Sequence, residues 1–161
     1  MCSSDLEWRD REEIAWPLLN DPRHAALRDC VRELNHLYLK FAQLHGSDCD
    51  HEGFRGLDMQ NADESVWIFQ RLGTGGAASS PPLICVFNAT PVPRPGYGVG
   101  VSDGGGYRKL FDSDDVRFGG SGYNQQNEIG ALSGTPSGTS SGGYTLTFDL
   151  PPLGAMFFVG V

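Results

Sequence analysis

The sequence lacks the features of several functional classes. Lys and Arg number 12 against 20 Asp and Glu, for a net charge of −8, so no basic surface for nucleic acid or an anionic membrane is predicted. No apolar run approaches the ~20 residues that a membrane-spanning helix needs. The opening MCSSDL is neither basic nor followed by an apolar core, so no secretory signal is indicated and we expect a cytoplasmic protein.

Motifs for cofactors, metals and nucleophiles are also missing. The glycine-rich stretches 73–76 and 104–106 lack the GK[ST] ending of a phosphate-binding loop, and 119–122 lacks the GxSxG spacing of a serine hydrolase. The 4 cysteines form no CxxC pair, and the 4 histidines match no metal-ligand spacing. We therefore predict no cofactor, no metal and no self-contained catalytic site.

The first part of the chain is predicted to be helical over residues 21–45. Asp21 is a good N-cap, Pro22 suits the first helical position, and Gly46 ends the pattern. The apolar side chains recur at three- and four-residue steps: Leu27, Cys30, Val31, Leu34, Leu37, Tyr38 and Phe41. A lone amphipathic helix has nothing to bury this stripe against, so it must pack on another surface.

After residue 50 the periodicity becomes that of strands. Short β-branched or aromatic runs bounded by Gly, Pro, Ser and Asp cover residues 64–72, 83–88, 97–101, 107–112, 144–150 and 155–161. No helical pattern intervenes between them. The fold class is therefore mainly β, with antiparallel sheets in a sandwich or Greek-key barrel.

Carboxylates and aromatics are the side chains worth testing as a site. Asp112, Asp114 and Asp115 cluster at a strand end, where Asp makes a side-chain-to-backbone turn more often than it catalyses. Aromatic side chains with faces suited to sugar rings lie near strand ends and in loops: Trp8, Trp16, Tyr97, Tyr107 and Tyr123. The alternative for each of them is a rim position that caps the core.

The stretch FNATPVPRPGYGVGV at 87–101 has three interpretations: a glycosylation sequon at Asn88, a proline-rich ligand, or a corner of the fold. Pro91 and the expected cytoplasmic location argue against glycosylation, and strand signals on both sides argue against an exposed ligand. We predict a corner, in which Phe87 ends one strand and Gly96 permits the turn into the next.

A series of motifs in order resembles the C-terminal end of bacterial 1,4-α-glucan (glycogen) branching enzymes, α-amylase-superfamily transglycosylases. The segments are EW (7–8), AWPLL (15–19), RELNHLY (32–38), DESV (63–66), FNATPVPR (87–94), GY (96–97), YRK (107–109), DSD (112–114), FGGSG (118–122) and LPPL (150–153). The resemblance implies that residues 7–51 are the tail of a catalytic (β/α)8 barrel with its last helix, and that residues 52–161 are an amylase-type C-terminal β-sandwich.

The resemblance also implies a division of labour. The partner is the missing catalytic barrel, which carries the catalytic carboxylates, and the substrate is an α-glucan such as glycogen. The β-domain steadies the barrel, and the glucan contacts expected in the chain are Tyr107, Tyr97 and Trp8. A Trp of the family pattern is replaced by Gly56, and Tyr107 stands in place of another Trp. The competing hypotheses are a stand-alone carbohydrate-binding module and the C-domain of another amylase-superfamily enzyme.

Residues 1–6 are interpreted as a non-native scar. The sequence CSSDL is what the end of a common sequencing adapter encodes in one frame, so we exclude it from fold reasoning. On this interpretation the chain is a fragment whose reading frame begins within a gene.

Overall fold

Helix α1 (Pro22–Lys40) begins where the capping residues predict. The carboxylate of Asp21 accepts the backbone N–H of Arg23 at 2.9 Å, which satisfies one of the N–H groups left open at a helix start. The computed structural model describes residues 13–73, 80–133 and 143–161, and in it a 3₁₀ turn Trp16–Asn20 precedes the helix. The α-helix ends earlier than the predicted residue 45, and a second 3₁₀ turn, Ala42–Leu44, follows it.

The rest of the described chain forms one antiparallel sheet of eight strands, which confirms the mainly β prediction. The strands are β1 (Phe54–Asp58), β2 (Val66–Arg71), β3 (Leu83–Asn88), β4 (Arg94–Val101), β5 (Gly105–Asp112), β6 (Glu128–Ser133), β7 (Tyr144–Leu150) and β8 (Ala155–Gly160). Their order is β1-β2-β3-β8-β5-β6-β7-β4, and every pairing is antiparallel. The sheet curls into a barrel-like sandwich with its end strands near each other.

The core lies inside the curled sheet. Alternate residues of each strand point inward, as Val66, Ile68, Val86, Leu146 and Phe158 do, and each of these is fully buried. Burying one such side chain contributes about 1.5–3 kcal/mol, so this face holds the sheet in its register. Strands β1 and β6 were not predicted, because their outward and mostly exposed residues leave no clear alternation.

Part of the outer face of the sheet, around β3, is buried. Leu83 and Cys85 alternate with inward-pointing residues of β3, yet they are 0% and 2% exposed. A row of aromatic rings continues across this face, with neighbouring centroids 5.0–6.2 Å apart: Phe54, Phe69, Phe87, Phe157, Phe111 and Phe118. Such burial requires a second layer over the sheet.

The segment that follows α1 supplies part of this layer. Gln43 is buried, donates from Nε2 to the carbonyl of Pro81 at 2.8 Å, and accepts from Nε of Arg71 at 3.2 Å. Leu37 is the buried residue of α1. One turn earlier in the helix, Glu33 lies 3.9 Å from Arg117, which is in the 3₁₀ turn after β5. The sequence predicted that the apolar stripe of the helix packs on another surface, and the β-sheet provides part of that surface.

The corner predicted at residues 87–101 is built around one buried amide. The Asn88 side chain, 2% exposed, donates to the carbonyls of Val92 and Pro151, both at 2.9 Å. Its Oδ1 accepts from the N–H and the hydroxyl of Thr90, at 3.0 and 2.7 Å. The nitrogen that glycosylation would modify is therefore enclosed and committed to hydrogen bonds.

Candidate functional site

A cleft lies between the two end strands of the sheet, β1 and β4. It has a volume of about 680 Å³. Its polar side chains come from the end of β1, the loop to β2 and the start of β4: Asp58, Gln60, Asn61, Glu64, Arg94 and Tyr97. We call this the β1–β4 cleft.

Tyr97 is at the centre of the β1–β4 cleft. Its hydroxyl donates to Oδ2 of Asp58 at 2.6 Å and accepts from Nδ2 of Asn61 at 2.9 Å. Partial burial, followed by the hydrogen bond to Asp58, raises the pKa of Tyr97 above its usual value. The phenol therefore stays protonated and acts as a hydrogen-bond donor, not as a base.

An ion pair also lines the cleft. Nη1 of Arg94 lies 2.7 Å from Oε1 of Glu64, and Nη2 donates to the Glu64 backbone carbonyl at 3.0 Å. The other carboxylate oxygen of Glu64 accepts from Nδ2 of Asn61 at 2.6 Å, so Asn61 links the ion pair to Tyr97. The buried Nε of Arg94 has no partner among the described residues.

Backbone geometry at the start of β4 sets the direction of Tyr97. Gly96 has φ +62°, a left-handed conformation that side chains other than glycine's adopt at a cost, and no atom lies within 4 Å of where its Cβ would be. Its N–H donates to the Asp149 carboxylate at 2.9 Å. The register with β7 shifts between Arg94 and Tyr97, so a bulge turns both side chains toward the cleft.

A family model describes the sheet that holds this cleft. Residues 57–161 match the family "Alpha amylase, C-terminal all-beta domain". The chain belongs to this family. No described helix of this family member is long and apolar enough to cross a membrane, and no three metal-ligating side chains group together among its described residues.

Proteins similar in sequence to this chain include bacterial branching enzymes. The 1,4-alpha-glucan branching enzyme of Thiobacillus denitrificans is 38% identical over 94% of the chain, and that of Pseudomonas aeruginosa is 39% identical over 93%. The chain spans about 20% of the length of these relatives. Among solved structures, the trehalulose synthase MutB matches 80% of this chain and 17% of its own at 18% identity, with a TM-score of 0.43.

The three aromatic residues predicted to contact glucan have different positions. Tyr97 lies in the β1–β4 cleft, where its ring packs beside Phe148 with centroids 6.3 Å apart and its hydroxyl faces the cleft. Trp8 lies outside the described residues. Tyr107 is only 2% exposed, so its ring has no face open for stacking on a sugar.

Burial of Tyr107 corrects the prediction of a stacking surface there. Its ring belongs to the all-β domain core, its hydroxyl donates to the carbonyl of Asp103 at 3.1 Å, and burial raises its pKa to about 12. Pairing with Ile129 and Gly160 on the neighbouring strands turns residue 107 inward. Sequence alone suggested only an aromatic residue near a strand end.

The aspartates after β5 make turns, as predicted. Asp114 accepts hydrogen bonds from the N–H and hydroxyl of Ser121 at 2.8 and 2.6 Å, and from the N–H of Tyr123 at 3.0 Å. Burial alone would raise the pKa of Asp114, but these hydrogen bonds hold it below the usual value. Asp112 is buried and lies 3.2 Å from Nζ of Lys109, with burial raising its pKa. Both carboxylates serve the architecture of this loop.

A second surface feature lies at the start of the described chain. An apolar groove of about 400 Å³ runs between the 3₁₀ turn 16–20 and the first half of α1. Its exposed apolar side chains are Ile14, Trp16, Leu18, Leu27 and Val31. The helix stripe predicted from sequence is thus divided, with Leu37 buried and Leu27 and Val31 exposed in this α1 groove.

Apart from Tyr97, the polar residues of the cleft were not predicted as a site. Glu64 and Arg94 belong to the segments 63–66 and 87–94, which were quoted only as motifs of the family resemblance. Asp58 and Asn61 carried no predictive signal of their own. Asn61 and Glu64 show the short spacing of a side-chain-capped turn, since the N–H of Glu64 donates to Asn61 Oδ1 at 3.3 Å. Only the meeting of β1 and β4 brings that turn to Tyr97.

Proposed function

We propose that this chain is the C-terminal all-β part of a 1,4-α-glucan branching enzyme and acts with a catalytic barrel instead of alone. In this proposal the parent enzyme is a cytoplasmic transferase of glycogen biosynthesis, and the chain contributes stability and glucan contact. Identity of 38% over 94% of the chain to a branching enzyme supports this assignment.

The observation that carries the proposal is the α1 groove. Trp16 is 63% exposed and Leu27 is 62% exposed on one continuous surface, which is unfavourable in water unless another apolar surface covers it. Groove side chains belong to residues 14–31, on the N-terminal side of the all-β domain, within the segment that the resemblance assigns to the end of the barrel. A barrel packed on the groove would remove both side chains from water.

The groove also separates this proposal from the competing ones. A stand-alone carbohydrate-binding module has no use for an uncovered apolar groove remote from its ligand. A C-domain from another amylase-superfamily enzyme would need the same covering, but the relatives described above are branching enzymes.

A chimaera tests the proposal. The C-terminal fifth of the Thiobacillus denitrificans branching enzyme is replaced by residues 7–161 of this chain, and branching of amylose is followed by the iodine-complex spectrum. We expect the chimaera to branch amylose and the isolated chain to leave the spectrum unchanged. Branching by the isolated chain, or a chimaera no better than an enzyme lacking its C-terminal fifth, would overturn the proposal.

A matched pair of variants tests the groove within the chimaera. Leu27→Ser lies in the α1 groove, whereas Leu132→Ser lies on β6 at 75% exposure and outside the groove. We expect Leu27→Ser to lower the melting temperature of the chimaera while Leu132→Ser leaves it nearly unchanged. Equal effects of the two substitutions would show that the barrel does not cover the groove.

A further inference from the structure

We propose that the β1–β4 cleft binds an α-1,4-glucan chain by hydrogen bonds to its hydroxyl groups, with Asp58, Asn61, Arg94 and Tyr97 as the contacts. The inference rests on the proposed function for the identity of the sugar. The cleft itself is argued from its geometry.

The cleft presents donors and acceptors close together. Tyr97 Oη, Asp58 Oδ2 and Asn61 Nδ2 form a chain with distances of 2.6 and 2.9 Å. Oδ1 of Asp58 has no hydrogen-bond partner among the described residues, so it can accept from a ligand hydroxyl. Neighbouring hydroxyls of a sugar each donate and accept, so they match an amide, a carboxylate and a phenol arranged in this way.

The charges of the cleft favour a neutral ligand. Glu64 already pairs with Arg94 at 2.7 Å, so an anion would have to displace a carboxylate to reach the guanidinium. Asp58 and Glu64 alone do not make a cation site, and the described residues contain no group of three metal-ligating side chains. Nη1 and Nη2 of Arg94 each carry a second hydrogen besides the one donated to Glu64, and a ligand hydroxyl can accept from it. A neutral polyhydroxyl molecule uses these groups without breaking the ion pair.

The volume of the cleft and its exposed rim suit a chain of sugar units. About 680 Å³ lies within the roughly 300–1,000 Å³ of small-molecule sites. Pro93, Pro95 and Gly96 form an exposed rim whose prolines have restricted backbones, which lowers the entropy lost on binding.

Binding of maltoheptaose to the purified chain tests the inference, measured by calorimetry and by retardation in glycogen-containing gels. Tyr97→Phe removes the hydroxyl that joins Asp58 and Asn61, and Tyr123→Phe is the matched control outside the cleft. We expect Tyr97→Phe to weaken maltoheptaose binding about tenfold and Tyr123→Phe to leave it unchanged. Asn61→Ala, which removes the amide bonded to Tyr97, is expected to weaken maltoheptaose binding similarly. Melting curves check that each variant is folded.

Cellohexaose distinguishes the α-glucan from other sugars. We expect maltoheptaose to bind and cellohexaose to bind at least tenfold more weakly. Equal binding of both sugars, no binding of maltoheptaose, or equal effects of Tyr97→Phe and Tyr123→Phe would each overturn the inference. An active chimaera without maltoheptaose binding by the chain refutes only the cleft, and binding together with an inactive chimaera refutes only the proposed function.

Discussion

Asn88 at the corner of residues 87–101 offers a sharp test of how the all-β domain is held together. The substitution Asn88→Ala removes an amide that is 2% exposed and bonded to three other residues. It leaves the carbonyls of Val92 and Pro151 without their donor, and the N–H and hydroxyl of Thr90 without their acceptor.

The cost follows from the hydrogen bonds lost. A net contribution of ~0.5–1.5 kcal/mol for each of the four bonds gives roughly 2–6 kcal/mol, and the half-buried Thr90 recovers part of it from water. We therefore expect Asn88→Ala to lower the free energy of unfolding by about 3 kcal/mol. For a chain of this length that is a fall of roughly 6–12 °C in melting temperature.

Urea and thermal unfolding followed by circular dichroism measure this effect. Asn127→Ala, at an exposed asparagine, is the control and should change stability by less than ~0.5 kcal/mol. A loss below ~1 kcal/mol for Asn88→Ala would refute the corner as a structural element. Secretion of the chain through a glycosylating host gives a second readout, in which the enclosed amide should remain unmodified in folded protein.

Three further outcomes are expected elsewhere in the chain. Gly96→Ala should lower stability by ~1 kcal/mol in urea unfolding because φ is +62°, while Gly130→Ala, also with open space at its Cβ, should not; equal effects would remove the backbone argument. The pKa of Asp114 lies below 3.8 in the folded chain, so its stabilisation is present above that pH and is lost as pH falls through the folded pKa. Asp114→Asn should flatten the acid limb of the unfolding profile, and an unchanged limb would contradict this. Burial raises the pKa of Cys85 to about 12, so mass spectrometry after iodoacetamide should find exposed Cys49 modified and Cys85 intact; rapid modification of Cys85 would contradict its burial.

Local signals determined much of the fold. Asp21 and Pro22 predicted the start of α1, and the alternation of β7 and the apolar runs of β3 and β8 predicted those strands, because capping and period act between near neighbours in sequence. Strands with weak local signals were not predicted. Exposed β1 and β6 depend on strands far along the chain for their pairing, so their own residues did not predict them.

By itself, the sequence determined the class of fold, the corner at Asn88 and the absence of recognisable catalytic motifs, since composition, spacing and turn residues are local properties. Only the tertiary structure decided which aromatics face water. The Tyr107 ring points into the core and the Tyr97 hydroxyl lies in a cleft, because the register with neighbouring strands sets the direction of each side chain. The cleft itself exists because the sheet curls until Asp58 meets a tyrosine 39 residues away, a contact that no local pattern in the sequence specifies.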